Sequence, residues 1–212
     1  MKKSLNFLIK VVIILLFIYT WQVVQLNSNR INQNYIYLYI ALVIFSLLSD
    51  RYLYRGQSSE AKKEYQMTSY YLRLTWFSSL IFPLLEYAHM MRYNIKLTVI
   101  GCLLIIFGVI IRGLGIKTLG RFFSSDVESW NDQKIIRSGI YNHIRHPAYA
   151  GNILQVIAFP LVLNSYFSLV ISCSTIVGFL WRIKVEEEFL INNFPEYKEY
   201  IEETKRIIPK VW

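Results

Sequence analysis

Polar and titratable residues are concentrated in one short stretch of this otherwise apolar chain. Residues 138–151 read SGIYNHIRHPAYAG and include two of the three histidines, two tyrosines, an arginine and a proline between two glycines. Arg145 supplies a cation, His146 supplies a ring that titrates near neutral pH, and Tyr141 and Tyr149 supply aromatic faces that attract cations. These groups are suited to binding a small molecule that carries both charge and an aromatic base.

A second polar cluster, WRIKVEEEFLINNF, follows the last apolar run. Arg182 and Glu186 are four residues apart and share one face of a helix, and Glu187 extends the negative patch. An isolated pair of this kind is also explained by a helix-stabilising ion pair of about 0.2–0.5 kcal/mol beside an arginine that reaches the lipid headgroups. Together with the first cluster, however, it predicts a cytoplasm-facing small-molecule site that opens toward the bilayer.

Metal chemistry is not indicated. His143 and His146 are three residues apart, but the chain has only three histidines, too few for the histidine-rich sites of membrane di-iron enzymes. Glu86 and His89 match only one half of a di-iron carboxylate motif. The two cysteines lie in apolar runs and form neither a metal motif nor a disulfide framework.

Most of the sequence consists of long apolar runs. The chain has 212 residues, of which 54% are hydrophobic and 17% are charged. A bilayer core of about 30 Å requires roughly 20 apolar helical residues, so most of these runs are long enough to cross it with some tilt. We therefore predict an all-α, polytopic membrane bundle of five to six spans. The runs cover residues 5–26, 35–48, 72–91, 95–111 and 149–181.

The first run could instead be a cleaved signal peptide, since Lys2 and Lys3 precede it. It is longer than the usual apolar core of about 7–15 residues, and its end, VVQLNSN, lacks a small-x-small cleavage site. We therefore expect this run to be retained as a span.

The last apolar run is too long for one helix. Residues 149–181 would form a helix of roughly 50 Å, and Pro160 lies near their middle with the polar pair Asn164 and Ser165. We predict a helical hairpin that turns at this point. The fourth run ends at Ile111, and the glycines and arginines of RGLGIKTLGRFF mark where we expect the chain to leave the bilayer.

This interpretation divides the chain into two parts. Residues 1–93 form N-terminal transmembrane helices, and residues 94–212 form a C-terminal core. After Pro195 the apolar positions resume at helical spacing, which predicts a short helix packed against the membrane or against the loop before the hairpin. The core comprises a spanning helix, a cytoplasmic loop at 112–147, the hairpin at 149–181 and a cytoplasmic tail at 182–212.

The net charge of +9 is explained by membrane topology. With the N-terminus inside and six alternating spans, 20 of the 23 Lys and Arg residues lie on the inner side, as the positive-inside rule requires. No nucleic-acid partner is therefore needed. The composition, rich in Ile, Asn and Lys, and the short length favour a bacterial plasma membrane.

The polar motifs resemble those of a known family. LGRFFSSDVE, QKIIRSGIYNHIRHPAYAG and WRIKVEEEFLINNFPEYKEY with the closing IIP are similar to the isoprenylcysteine carboxyl methyltransferase family, whose members are integral-membrane enzymes dependent on S-adenosylmethionine. The likeness covers about residues 112–209. It implies that the C-terminal core binds S-adenosylmethionine, releases S-adenosylhomocysteine and methylates a lipophilic or prenylated acceptor drawn from the membrane lipids.

The resemblance also implies roles for particular residues. Arg182 would face the methyl acceptor, and Arg145 would either assist there or hold the carboxylate of the cofactor. The implied cofactor-binding residues are Gln133, Lys134, Ile135, Ile136, Tyr141, His146, Pro147, Ala148, Tyr149 and Glu186, with Glu187 as the second member of the Glu-Glu pair.

Two departures leave the acceptor open. The chain has QKII where members acting on isoprenylcysteine often have His-Thr-Leu-Val, and Phe-Pro where they have Phe-Gly. Carboxyl O-methylation is the first expectation, and a phospholipid N-methyltransferase or another methyltransferase of small lipophiles is an alternative. A reductase resembling the sterol reductases would instead use NADPH, for which Arg145, Lys134 and Arg137 offer basic contacts. A non-catalytic protein of the same fold is a further alternative, and the sequence assigns no oligomeric state.

Overall fold

The computed structural model describes residues 2–53, 66–124 and 134–209, and the regular elements in these ranges are helical. Single 3-10 turns lie at Gly120–Phe122 and Gly139–Asn142. Within the described ranges, extended pairing is limited to one isolated bridge between Ile144 and Lys205, so the expected all-α class is confirmed. The helices are α1 (Lys2–Leu26), α2 (Gln33–Leu53), α3 (Gln66–Met90), α4 (Ile95–Leu119), α5 (Pro147–Val162), α6 (Leu169–Asn193) and α7 (Tyr197–Glu203).

The first four apolar runs each form one long helix, and the exposed residues of these helices are largely apolar. In the described part of the chain, α2 and α4 are long and apolar enough by themselves to cross a membrane. On α4, Leu103, Phe107 and Ile110 follow one another at helical spacing and are 51%, 58% and 50% exposed. Water would penalise such a face, whereas lipid accommodates it, so the bundle is built for a bilayer.

The antiparallel helices α4 and α5 approach each other closely along most of their length. A Cβ atom added to Gly108 would lie 2.7 Å from the backbone oxygen of Gly151, and one added to Gly151 would lie 2.4 Å from the oxygen of Gly108. A Cβ atom added to Gly101 on α4 would approach Val162 at the far end of α5 similarly closely, at 2.7 Å, whereas one added to Gly115 would lie less tightly, 3.1 Å from Pro147, at the near end. The glycines therefore allow backbone-to-backbone packing that no larger residue permits.

The fourth helix extends beyond the apolar run that predicted it. The helix continues past Ile111 to Leu119, so the first eight residues of the segment 112–147 belong to α4. Gly115 lies inside the helix and packs against Pro147 and Ala148 at the start of α5.

The predicted hairpin is present as α5, the turn at 163–168 and α6. Asn164 adopts a left-handed conformation with φ of 57°, which asparagine tolerates better than most residues. The Glu86 carboxylate, at the end of α3, accepts hydrogen bonds from the backbone N–H groups of Phe167 and Ser168 at 3.1 and 2.8 Å. The turn is thereby fastened to α3.

Replacing Gly151 by alanine should destabilise the protein by about 1–3 kcal/mol, the usual cost of overpacking. The new Cβ would meet backbone atoms and the Cβ of Arg112, 2.7 Å away, none of which can move unless the helices separate. The measurement is the apparent melting temperature in detergent. Gly115→Ala is the matched control, because its nearest contact is 3.1 Å and the higher helix propensity of alanine offsets the crowding. Equal melting temperatures for the two variants would contradict this account.

Candidate active site

The loop before α5, residues 138–146, is here called the signature loop. The chain after α6, residues 194–209, is here called the tail, and it holds the loop in place. The backbone N–H groups of Arg145 and His146 donate to the carbonyl oxygens of Lys205 and Arg206 at 2.8 and 2.9 Å. Pro147 follows as the first residue of α5, where its missing N–H costs no hydrogen bond. The loop thus enters α5 in a direction fixed by the tail.

The buried carboxylate of Glu187 on α6 contacts side chains of both the signature loop and the tail. Its Oε1 accepts hydrogen bonds from Arg145 Nε at 2.9 Å and lies 3.2 Å from His146 Nε2, while its Oε2 accepts from Arg206 Nε at 2.8 Å. The Glu187 and Arg145 side chains are only 5% and 6% exposed. A buried carboxylate is stable only with such partners, so Glu187, the signature loop and the tail require one another.

These contacts determine how Glu187 ionises. Burial by itself would raise its pKa, but the hydrogen bonds and positive charges of His146, Arg145 and Arg206 outweigh burial and lower the pKa from 4.5 to about 2. Glu187 is therefore ionised at neutral pH.

The short helix α7 closes the same assembly from the other side. The hydroxyl of Tyr200 donates to the backbone oxygen of Tyr141 at 2.6 Å, and Arg145 Nη1 donates to the backbone oxygen of Ile201 at 3.1 Å. Burial raises the pKa of Tyr200 to about 12, and burial also raises the pKa values of Tyr141 and Tyr197. All three phenols are protonated at neutral pH and can donate hydrogen bonds.

A cavity of about 580 Å³ lies between the signature loop, the tail and helices α2 to α6. Its volume falls within the range of small-molecule sites, about 300–1,000 Å³. Near the loop its walls are formed by residues 134–136, the signature loop and α7, whereas deeper in the bundle they are formed by side chains of the long helices. We call these regions the loop end and the bundle end of the cavity.

At the loop end, the side chains of Tyr149 and Glu186 contact each other and form part of the cavity wall. The Tyr149 hydroxyl donates to Glu186 Oε2 at 2.7 Å and also interacts with the Arg182 guanidinium. The Tyr149 ring lies 5.7 Å from the ring of His146 and 5.7 Å from that of Phe179, centroid to centroid. The loop end therefore combines a carboxylate with aromatic surfaces, a suitable arrangement for a cation that also carries hydroxyls or an amine.

Two arginines of the cavity wall, Arg182 and Arg112, are held in place by side chains of neighbouring helices. Arg182 on α6 is 1% exposed, and its Nη1 donates to Thr68 Oγ1 and Ser69 Oγ on α3 at 2.5 and 3.0 Å. Arg112 on α4 donates from Nε to Asp50 Oδ1 on α2 at 2.7 Å. The part of the cavity lined by the long helices therefore contains two guanidinium groups, with the Asp50 carboxylate beside one of them.

The structure gathers most of the predicted site residues around the cavity. Pro147 lies behind the wall, against Gly115, and Glu187 lies in the ion cluster and does not line the cavity. Gln133 falls outside the described residues. The predicted residues that line the cavity are Lys134, Ile135, Ile136, Tyr141, Arg145, His146, Ala148, Tyr149, Arg182 and Glu186.

Several wall residues were not predicted from the sequence. They include Asp50 and Arg112, which pair across α2 and α4, Ser69 and Trp76 on α3, and Asn152 on α5. Charged or amide residues at the ends of apolar runs or inside them are themselves a functional signal in membrane proteins. That signal was present for Arg112 and Asn152, but it does not specify which helices meet.

The fold and the cavity define a membrane-embedded helical protein whose small-molecule site lies where the signature loop, α6 and the tail converge. The isoprenylcysteine carboxyl methyltransferase (ICMT) family model matches residues 99–192. A relative from Oryza sativa subsp. indica, described as a probable protein-S-isoprenylcysteine O-methyltransferase, is 32% identical over 147 residues, which are 62% of this chain and 68% of that relative. The chain belongs to the isoprenylcysteine carboxyl methyltransferase family.

Two further similarities agree with this assignment. The protein-S-isoprenylcysteine O-methyltransferase of Saccharomyces cerevisiae is 39% identical over 107 residues, which are 49% of this chain and 45% of that relative. The chain thus spans about half the length of the first curated relatives it matches. The solved structure of the eukaryotic intramembrane Ras methyltransferase ICMT covers 85% of this chain and 68% of its own, with a TM-score of 0.58 and 22% identity, which supports the helical membrane fold.

Replacing Glu187 by glutamine should loosen the signature loop without changing its sequence. The substitution leaves buried Arg145 facing a neutral group, a change that typically costs about 3–5 kcal/mol. Hydrogen exchange of peptides covering 140–149 should become at least tenfold faster at pH 7. Glu188→Gln is the matched control, because Glu188 is the next residue and is exposed. Similar exchange in both variants would show that the ion cluster does not hold the loop.

A comparison of the wild type with Glu187→Gln should reveal the low pKa of Glu187. A carboxylate whose pKa is lowered by folding stabilises the folded state at pH values above its unfolded pKa. The difference in melting temperature between the wild type and Glu187→Gln should therefore be constant above about pH 4.5 and shrink as the pH falls toward about 2. A difference that disappears well above pH 4.5 would contradict the assigned pKa.

Proposed function

We propose that this protein is a membrane methyltransferase that uses S-adenosylmethionine to methylate a carboxylate on a lipophilic, prenyl-type acceptor. The observation that carries the proposal is the continuous cavity that joins Tyr149, Glu186 and Arg182. Its loop end is polar, and its bundle end lies among helices whose outer faces are apolar. A polar methyl donor and a lipophilic acceptor can therefore meet inside one cavity.

The groups at the loop end fit S-adenosylmethionine. Glu186 can accept hydrogen bonds from its hydroxyls or amino group, and the rings of Tyr149 and His146 can lie against its positive centre. Tyr141 and residues 134–136 complete this wall. When bound, the cofactor supplies a methyl group on a sulfonium, which a nucleophile can displace directly.

Arg182 and Arg112 would act on the acceptor. A carboxylate is already ionised near pH 7, so no base is needed to activate it. Arg182 would hold it through two parallel hydrogen bonds, and its contacts with Thr68 and Ser69 keep the guanidinium in one orientation. Orientation of this kind can contribute about 7–11 kcal/mol to the lowering of a barrier. Arg145 is engaged by Glu187 and would support the loop end.

The charge distribution supports an orientation in the membrane. Placing the N-terminus and the loop end in the cytoplasm puts most Lys and Arg residues on that side, as the positive-inside rule expects. We propose five to six spans in a bacterial plasma membrane, with residues 1–93 as an N-terminal unit and 94–212 as the methyltransferase core. The contacts of Arg182 with α3 imply that the first unit also builds the site.

S-adenosylmethionine and S-adenosylhomocysteine should each raise the apparent melting temperature of the purified protein by several degrees at concentrations near 100 times Kd, since ligand binding then stabilises by about 2.7 kcal/mol. NADPH should leave it unchanged. Glu186→Gln should weaken binding roughly 10- to 100-fold, because a charge-assisted hydrogen bond is lost. Glu188→Gln, which alters an exposed neighbour, should bind normally. Stabilisation by NADPH alone would instead support the reductase alternative.

Arg182→Lys should separate acceptor binding from cofactor binding. Lysine retains the charge but loses the planar fork, so transfer of radiolabelled methyl groups to an S-prenylcysteine carboxylate should fall roughly 10- to 100-fold in kcat/KM. Cofactor affinity should stay within about twofold of the wild type. A parallel loss of cofactor affinity would place Arg182 in the cofactor site.

A further inference from the structure

A groove of about 310 Å³ lies on the outer surface of the bundle, between α2 and α4 near the ends of both helices. Among the described residues, none lines both this groove and the cavity of the candidate active site. The groove residues on α4 recur at intervals of three or four and therefore form one face of that helix. The walls consist of Ser49 and Tyr52 on α2 and of Val109, Ile110, Gly113, Leu114 and Lys117 on α4.

The middle of the groove is suited to a hydrocarbon chain. Gly113 lies at the centre of the α4 face, where its missing side chain leaves room, and Val109, Ile110 and Leu114 surround it. Ile110 and Leu114 are about half exposed, and they belong to a helix that is long and apolar enough to cross a membrane. The groove therefore faces the bilayer, and a lipid chain is the group available to fill it by close packing.

The part of the groove at the helix ends is polar and positively charged. Lys117 lies in the last turn of α4, and Tyr52 lies in the last turn of α2. Within the described ranges, neither the Lys117 ammonium nor the Tyr52 hydroxyl has a hydrogen bond or an ion pair. Arg51, beside Tyr52, adds a second exposed positive charge. A phosphate group can pair with the ammonium and accept a hydrogen bond from the hydroxyl at the same time.

We propose that this groove binds one anionic phospholipid, with an acyl chain along Gly113 and the phosphate beside Lys117 and Tyr52. Basic residues between membrane helices attract anionic headgroups on the cytoplasmic side, where the proposed orientation places this end of the groove. A zwitterionic lipid offers the same chain and phosphate, but its own cation opposes Lys117 and Arg51. A soluble phosphate compound lacks the chain. An anionic phospholipid matches both parts of the groove.

A lipid bound in the groove would contact the two helices that the pair of Asp50 and Arg112 joins. Ser49 and Gly113 in the groove are the chain neighbours of Asp50 and Arg112, whose side chains meet at 2.7 Å and line the cavity. The lipid would therefore link α2 to α4 from the bilayer side. Its binding should raise the apparent melting temperature by several degrees, because a ligand of the native state stabilises that state.

Native mass spectrometry of the full-length protein in detergent tests this proposal with two lipids of identical acyl chains, palmitoyl-oleoyl phosphatidylglycerol and palmitoyl-oleoyl phosphatidylcholine. The first phosphatidylglycerol should bind about fivefold more tightly than the first phosphatidylcholine, which corresponds to one basic residue near an anionic headgroup. Lys117→Gln should reduce this preference to less than twofold. Gly113→Leu should weaken the binding of both lipids roughly tenfold, because its side chain takes the place of about two methylenes of the lipid chain.

Lys184→Gln is the matched control, because Lys184 is exposed on α6 and lies outside the groove. This variant should retain the fivefold preference. Tyr52→Phe removes a donor that either phosphate would use, so it should weaken both lipids roughly fivefold. It is the second variant if Gly113→Leu disturbs the packing of α2 on α4.

Two results would overturn the proposal. The first is equal affinity for the two lipids in the wild type, or a fivefold preference that persists in Lys117→Gln. The second is displacement of the bound lipid by sn-glycerol 3-phosphate, which would show a site for soluble phosphate compounds. Binding does not require methyl transfer, so neither result bears on the proposed function.

Discussion

The carboxylate of Glu187 is the interaction on which the loop end of the cavity depends. It is buried on α6 and meets Arg145 and His146 from the signature loop and Arg206 from the tail. These segments are separated by 19 to 42 residues in the sequence. A negative charge is stable at this position only when cations surround it. The buried cations would also destabilise the fold if the carboxylate were removed. The cluster therefore requires the loop, α6 and the tail to assemble together.

Much of the fold could be anticipated from the sequence because the membrane restricts what apolar runs can do. Their length and composition predicted an all-helical bundle, which is confirmed, and Pro160 with Asn164 predicted the hairpin between α5 and α6. The two polar clusters were also predicted to meet. The hairpin explains why, since it returns the chain to the end of the bundle from which α5 began, and Tyr149 then contacts Glu186.

What the sequence did not provide is the set of contacts between distant helices. Arg112 was placed in the cytoplasmic segment 112–147 because the apolar run ends at Ile111, yet α4 continues to Leu119 and Arg112 contacts Asp50. A glycine at a turn and a glycine at a helix crossing look alike in a single sequence, and only the packing partner distinguishes them. The same limit applies to Asn152 and to the serine and threonine that hold Arg182.

The continuity of α6 has a geometric consequence. This helix extends without interruption from Leu169 to Asn193 and carries Arg182 one turn before the adjacent residues Glu186 and Glu187. At about 1.5 Å per residue, Arg182 and Glu186 are separated by about 6 Å along its axis. Under the proposed function, this interval sets the distance between the residue that would hold the acceptor and the residue that would hold the cofactor. Backbone hydrogen bonds of the helix fix it independently of any loop. One inserted residue would rotate Glu186 by about 100° away from Arg182, so substrate range can evolve by substitution on the walls but not by changing the length of this helix.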